Sequence, residues 1–80
     1  MLYKDKTDFS TNVIQNKTMR DISVAVDGAG QAEVHLCRED GVWRTYPALV
    51  VPAGEISTLT IPPVNWKLVI VGGPATVEVL

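Results

Sequence analysis

The chain has 80 residues, nearly half of them hydrophobic, and its formal net charge is −2. A chain of this length forms one small domain with a thin core, and a single cysteine excludes an intrachain disulfide. Seven basic residues are offset by nine acidic ones and form no basic stripe, which argues against nucleic acid as a partner. No apolar stretch approaches the roughly 20 residues of a membrane-spanning helix, so we expect no membrane partner.

The first 19 residues are mostly polar and are predicted to form an extended N-terminal arm that leads into a short strand at residues 12–15. The apolar positions Leu2, Tyr3 and Phe9 could anchor this arm on a neighbouring subunit, and a frayed terminus is the alternative. The arm starts with alternating charges and lacks the apolar core of a signal peptide, so we expect synthesis in the cytoplasm.

Residues 20–80 are predicted to form a single β-sandwich domain. Short segments alternate apolar and polar residues, and turn dipeptides that begin at positions 27, 40, 53, 62 and 72 separate them. The inward-facing rows expected from this alternation are Ile22, Val24 and Val26; Ala32, Val34 and Leu36; Leu59 and Ile61; Trp66, Leu68 and Ile70; and Val77 and Val79. The pattern predicts an all-β fold, a small antiparallel β-sandwich, jelly-roll-like or meander, with about six to eight short strands.

Two β-hairpins are predicted from the turns. The first joins residues 20–26 to residues 31–38 through Asp27-Gly28-Ala29-Gly30, and the second joins residues 66–71 to residues 75–80 through Gly72-Gly73-Pro74. A turn at residues 39–41 is predicted to add residues 42–46 to the first hairpin as a third strand.

The residue types that carry chemistry are sparse. Glu33, His35 and Cys37 alternate on one face of a predicted strand, but Glu33 and Cys37 start about 13 Å apart, too far to share one zinc ion. The Cβ atoms of His35 and Cys37 start about 7 Å apart, which is too far for a nucleophile–base pair. We therefore expect no cofactor, no metal and no catalytic residue, and a protein that is not an enzyme.

Aromatic residues are the remaining candidates for ligand recognition. Trp43, Tyr46 and Trp66 could stack on sugar rings, or they could fill the core of a small sandwich, since aromatic side chains bury the largest areas.

Two stretches carry a resemblance to a known class of proteins. Residues 34–48 read as a strand, an Asp-Gly turn, a Trp and a Tyr-Pro, and residues 61–73 read as prolines, a Trp, an apolar strand and a Gly-Gly. This pattern resembles small β-sandwich virion proteins of tailed bacteriophages, among them capsid decoration (cement) and tail-associated proteins. The resemblance implies a structural protein located in the virion and made in the host cytoplasm. It also implies a homo-oligomer, with a trimer favoured, that contacts the major capsid protein or another virion protein.

Surplus apolar residues indicate where such contacts would form. The runs at residues 48–51 and 68–71 offer more apolar surface than one small core uses, and such surface commonly marks an interface. The predicted interface residues are Leu2, Tyr3, Phe9, Leu49, Val69 and Val71. The alternative function is a carbohydrate- or receptor-binding module of a tail fibre or surface protein, in which Trp43, Tyr46 and Trp66 would stack on the ligand.

Overall fold

A computed structural model that describes residues 1–80 has two antiparallel sheets that pack face to face. The nine strands are β1 (Leu2–Lys6), β2 (Phe9–Ser10), β3 (Arg20–Gly28), β4 (Gln31–Cys37), β5 (Trp43–Arg44), β6 (Val50–Pro52), β7 (Ile56–Ile61), β8 (Trp66–Val71) and β9 (Ala75–Val79). One 3-10 turn, Pro47–Leu49, precedes β6. No helix in the chain is long and apolar enough to cross a membrane.

The strand order makes this sandwich a jelly roll. The first sheet runs β1-β9-β3-β7, and the second runs β2-β8-β4-β5, with β6 pairing to β4 beyond the 3-10 turn. The consecutive strands β1 and β2, β3 and β4, and β8 and β9 therefore lie in opposite sheets, as in a rolled-up antiparallel ribbon. The predicted all-β sandwich is confirmed, its topology is the jelly roll and not the meander, and the strand count is nine.

Neither predicted hairpin forms, and the parity of the buried rows explains why the first does not. A two-residue loop at 29–30 would place Gly28 opposite Gln31, so each even position of β3 would pair with an odd position of β4. Both buried rows occupy even positions. A hairpin would therefore send the two rows to opposite faces of one sheet, whereas crossing to the second sheet points both into one core.

The second hairpin fails for the same reason. A three-residue loop at 72–74 would pair even positions of β8 with even positions of β9, but the buried row of β8 is even-numbered and that of β9 is odd-numbered. The pairing of β4 with β5 does form, with Leu36 opposite Arg44 and Cys37 opposite Trp43.

The core lies between the sheets and contains the predicted inward rows. Its buried residues are Ile22, Val24, Val26, Ala32, Val34, Leu36, Leu49, Val51, Leu59, Ile61, Trp66, Leu68, Ile70, Ala75, Val77 and Val79. Strand alternation alone places most of these side chains inside, because successive side chains of a strand point to opposite faces.

Four connections between the sheets lie side by side at one end of the molecule, at residues 7–8, 29–30, 53–55 and 72–74. Their main chains bond to one another: Asp8 N–H donates to Gly72 O (3.0 Å), Ala29 N–H to Pro74 O (3.1 Å), and Ala53 N–H to Gly30 O (3.0 Å). Gly30 has a φ of +80°, and a Cβ there would lie 2.3 Å from Val71 O. Backbone packs on backbone at Gly30, which leaves no room for a side chain there.

The N-terminal segment, residues 1–19, adds a strand to each sheet. β1 pairs with β9 and β2 pairs with β8, so the early residues close one long side of the sandwich. The strand predicted at residues 12–15 is reduced to an isolated bridge between Ile14 and Trp66. Because β1 and β2 were not predicted as strands, the structure has nine strands and not the six to eight that were expected.

Candidate functional site

An apolar groove runs along the long side of the sandwich that the N-terminal segment closes. It is lined by Met1, Tyr3, Phe9, Ser10, Thr11, Asn12, Val13 and Ile14, and its volume is about 360 Å³. We call this feature the N-terminal groove. Five of its eight lining residues are hydrophobic, which makes it the most apolar concave surface of the molecule.

Strand register positions the two aromatic rings of the N-terminal groove. Tyr3 lies opposite Val77 and Phe9 lies opposite Ile70, and both partners point into the core. The two half-buried rings therefore turn inward between the sheets, with their centroids 5.6 Å apart. The Lys6 ammonium lies 4.9 Å from the Phe9 centroid, a cation–π distance.

A second candidate region is the outer face of the sheet that contains β4 and β8, which we call the β4–β8 face. Side chains of β4 form a hydrogen-bonded row there: Gln31 Nε2 donates to Glu33 Oε2 (2.5 Å), and Glu33 Oε1 lies 2.9 Å from His35 Nε2. Val50 and Val69 flank Glu33 on either side through the strand register. The face thus combines a polar row with apolar neighbours.

Trp43 is the aromatic residue of the β4–β8 face. It is half-buried, and the Lys67 ammonium lies 4.6 Å from its ring centroid. Lys67 is opposite His35 in the β8–β4 register and Cys37 is opposite Trp43 in the β4–β5 register, so the pair bridges across β4. The indole, the ammonium and the polar row lie together on one surface.

A third region is the cleft beside the turn before β5, with a volume of about 450 Å³, lined by Arg38, Glu39, Asp40, Arg44 and Val64. Asp40 and Arg44 form a bidentate ion pair at 2.8 and 3.2 Å. The hydrogen bond from Arg44, followed by that from the Val42 N–H, lowers the pKa of Asp40 from 3.8 to about 2. The ion pair is internal to the turn, so these charges already have partners and fix the turn's conformation.

The predicted interface residues fall in different places. Tyr3 and Phe9 lie in the N-terminal groove, Val69 and Val71 lie on β8 with Val71 exposed, and Leu2 lies opposite Glu78 on the outer face of the other sheet. Leu49 is 8% exposed and belongs to the core, so its assignment to an interface is wrong. The 3-10 turn directs this side chain inward. The continuous apolar run at residues 48–51 did not indicate which of its side chains would point into the core.

The three predicted stacking residues are also separated. Trp43 is accessible, whereas Tyr46 packs against the core and its hydroxyl accepts a hydrogen bond from Arg38. Trp66 is 1% exposed, so its predicted place in the inward row is confirmed, and the alternative in which it stacks on a ligand is wrong. Its position in the inward row of β8 buries it, and its indole Nε1 has no hydrogen-bond partner.

The side chains of Glu33, His35 and Cys37 do not form one cluster in the structure. Glu33 binds His35 directly, while Cys37 Sγ lies 3.8 Å from Arg38 O. No group of three His, Cys, Asp or Glu side chains is arranged to hold a metal ion.

Several residues of these surfaces were not singled out from the sequence. Met1, Val13 and Ile14 complete the N-terminal groove, and Lys67 covers Trp43. The exposed apolar positions were visible in the sequence, but the fold of residues 1–19 against both sheets was needed to bring them together.

No protein-family model, curated protein sequence or solved structure matches this chain.

Proposed function

We propose that this chain is a structural protein that acts by binding to a larger assembly, in the manner of a capsid decoration (cement) protein of a tailed bacteriophage. It would act through contacts between its own copies and contacts with a shell protein of the particle. The observation that carries the proposal is the N-terminal groove, an apolar surface that the domain's own core leaves uncovered. Surface of this kind commonly marks an interaction site.

The strand order supports the proposal by analogy. Jelly rolls recur in viral capsid domains and in lectins, and a fold by itself does not determine function. The N-terminal groove adds the specific argument. Its exposed residues include the apolar Met1 and Val13, which line the groove together with the half-buried rings of Tyr3 and Phe9. Clustered aromatic residues are typical anchors of protein interfaces.

The experiment is cosedimentation of the purified chain with assembled, expanded shells of the phage that encodes it. The expected result is saturable binding at a fixed ratio to the major shell protein. Val13→Asp, which places a charge in the groove at a position that is 51% exposed, should weaken binding at least tenfold. Met19→Asp makes the same kind of change at a position that is 67% exposed and outside the groove, and it should bind normally. Absence of cosedimentation for the unmodified chain would contradict the proposal.

A second candidate function is carbohydrate or receptor binding, and the accessible Trp43 favours it. The Lys67 ammonium lies over its indole, and Lys67 is opposite His35, which contacts the Glu33 carboxylate on the same face. Aromatic rings with polar groups nearby are typical of ligand sites. Trp66 is buried and serves as an internal reference, so quenching of tryptophan fluorescence by a glycan would come from Trp43. Under this function, quenching should be saturable and should be abolished in Trp43→Phe. Glycan-independent fluorescence would exclude it.

A further inference from the structure

The two edge strands of the first sheet, β1 and β7, differ in how well they are protected against pairing with a further strand. β7 lies at one edge and pairs only with β3, in an unbroken register from Arg20 opposite Ile61 to Ala25 opposite Ile56. Its sequence, Ile-Ser-Thr-Leu-Thr-Ile, contains no charged residue, no proline and no glycine. Natural edge strands are usually protected by charges, prolines, bulges or short length, and β7 has none of these.

The hydrogen bonds of β3 show which main-chain groups of β7 point outward. Ser23 exchanges both of its bonds with Leu80 on the β9 side, at 2.8 and 3.4 Å. Alternate residues of an antiparallel strand direct their N–H and C=O groups to opposite neighbours. Ile22 and Val24 therefore bond to their β7 partners, Leu59 and Ser57.

By the same alternation Ile61 faces Arg20 of β3, and the other β7 residues direct their main-chain groups away from the sheet. These are Ile56, Thr58 and Thr60, and they present a row of N–H and C=O groups along the free edge. Ile56 also exposes an apolar side chain that is 63% accessible. The edge is thus a regular template for one more antiparallel strand.

We propose that β7 is a dimerisation edge, and that its occupant is β7 of a second copy of this chain, paired antiparallel about a twofold axis. Directly opposite residues of an antiparallel pair share one face of the sheet, so the register must match inward positions with inward positions. An axis through Thr58 satisfies this rule. It places Thr58 opposite the partner's Thr58 and Ile56 opposite the partner's Thr60.

Counting main-chain bonds selects this register over its neighbour. With the axis at Thr58, the three outward-facing residues of each copy all find partners, and three residue pairs exchange about six hydrogen bonds. With the axis at Leu59, Ile56 would face Pro62, which has no N–H to donate and whose carbonyl already accepts from the Val64 N–H and from Asn16 Nδ2. That register would keep only about four hydrogen bonds. The strand carries no charge, so its self-pairing meets no like-charge repulsion, and the exposed Ile56 side chain gains a neighbour in the partner's Thr60.

A contact between identical edges is twofold by symmetry, because the same patch is used on both copies. It predicts a dimer, whereas the phage-protein resemblance implies a trimer. The inference goes beyond the virion proposal and holds whether or not that proposal is correct, because it rests on the geometry of β7 alone.

The test is the solution mass of the purified chain, measured by sedimentation velocity over a range of concentrations. The unmodified chain should pass from monomer to dimer, and Thr58→Pro should weaken the dimer at least tenfold, since it removes the outward N–H at the axis. Thr58→Lys and Thr58→Glu should each weaken the dimer, because like charges would face each other directly, and an equal mixture of the two should restore it as a heterodimer.

Met19→Lys introduces the same charge at an exposed position outside β7 and should leave the dimer unchanged. Folding of every variant is checked by circular dichroism, and the lysine and glutamate variants decide the question if the proline variant does not fold. A chain that stays monomeric at millimolar concentration or forms a trimer would overturn the proposal. Failure of the mixture to restore association would do the same.

Discussion

The two edges of the first sheet, β1 and β7, show opposite treatments of unpaired main chain. β1 carries Lys4 and Lys6, its register with β9 shifts between Tyr3 and Lys6, and Asp5 has a φ of 51°. These are features that prevent another strand from pairing with an edge. β7 pairs with β3 in an unbroken register and contains no charged residue. Of the two edges of the first sheet, only the β1 edge is therefore protected against strand addition.

The β1 side is also the side on which the N-terminal segment packs against the rest of the chain. There the N-terminal segment runs from one sheet to the other, packs Tyr3 and Phe9 against the core, and bonds to the connection at residues 72–74. On the β7 side, there is open space around Gly54 in the connection before β7, and Ile56 is exposed. Substitutions on the β1 side should therefore mainly change stability, and those on the β7 side should mainly change association.

The largest effect is expected at glycines in the connections between the two sheets. A Cβ at Gly73, which has a φ of +120°, would lie 2.4 Å from Lys6 O, whereas a Cβ at Gly54, with a φ of +87°, would meet nothing within 4 Å. Gly73→Ala combines backbone strain with a main-chain clash and should lower the free energy of unfolding by about 3 kcal/mol. Gly54→Ala adds strain alone and should cost about 1 kcal/mol. Urea denaturation of the two variants measures both values, and equal losses would contradict the packing described for the β1 side.

A smaller effect is expected from the apolar side chains of the two sides. Phe9 is half-buried and packs against the core and Tyr3, so Phe9→Ala should cost about 2 kcal/mol, less than a fully buried phenylalanine. Ile56 is largely exposed, and Ile56→Ala should change monomer stability by less than about 0.5 kcal/mol. Both are measured by denaturation at a concentration where the chain is monomeric. If Phe9→Ala had no effect, the N-terminal segment would be a loose arm in solution.

The smallest effect concerns the Asp40–Arg44 ion pair, beside β5 at the edge of the second sheet. The pKa of Asp40, about 2 in the folded chain, is below the ordinary value of 3.8. The pair therefore favours the folded state above about pH 3.8, and this contribution is lost as the pH falls through about 2. Both groups are exposed, so the contribution to stability should be slight.

Carboxyl chemical shifts measured by NMR as a function of pH report the titration of Asp40 directly. Arg44→Met should raise its pKa towards 3.8 without reaching it, because the Val42 N–H still donates to the carboxylate. Lys67→Met, which changes a cation that lies over Trp43, should leave the Asp40 pKa at about 2. An unchanged value in Arg44→Met would show that the ion pair does not form in solution.

The sequence predicted which side chains form the core because alternation is a local property of each strand. The rows from Ile22 to Val26 and from Ala32 to Leu36 were identified without knowing which strands pair. The partition of strands between the sheets was missed, although the parity of those rows across residues 29–30 contains the signal. A turn dipeptide indicates a reversal of the chain but does not distinguish a hairpin from a crossing between sheets.

The surfaces were less predictable because they depend on long-range packing. Leu49 was assigned to an interface from its apolar sequence run, and the 3-10 turn buries it. For Trp66, alternation predicted the buried position correctly, whereas the alternative ligand surface was suggested by residue type alone. The absence of charge at residues 56–61 was readable from the sequence, but nothing local showed that this strand lies at an edge. That position follows only from the complete strand order.

The most direct test of the central claim is amide hydrogen exchange along β7, measured by NMR at low and high protein concentration. At low concentration the N–H groups of Ser57 and Leu59, bonded to β3, should exchange slowly, and those of Ile56, Thr58 and Thr60 should exchange quickly. At high concentration the second group alone should become protected as the dimer forms. Fast exchange of Thr58 and Thr60 at every concentration would contradict pairing through this edge.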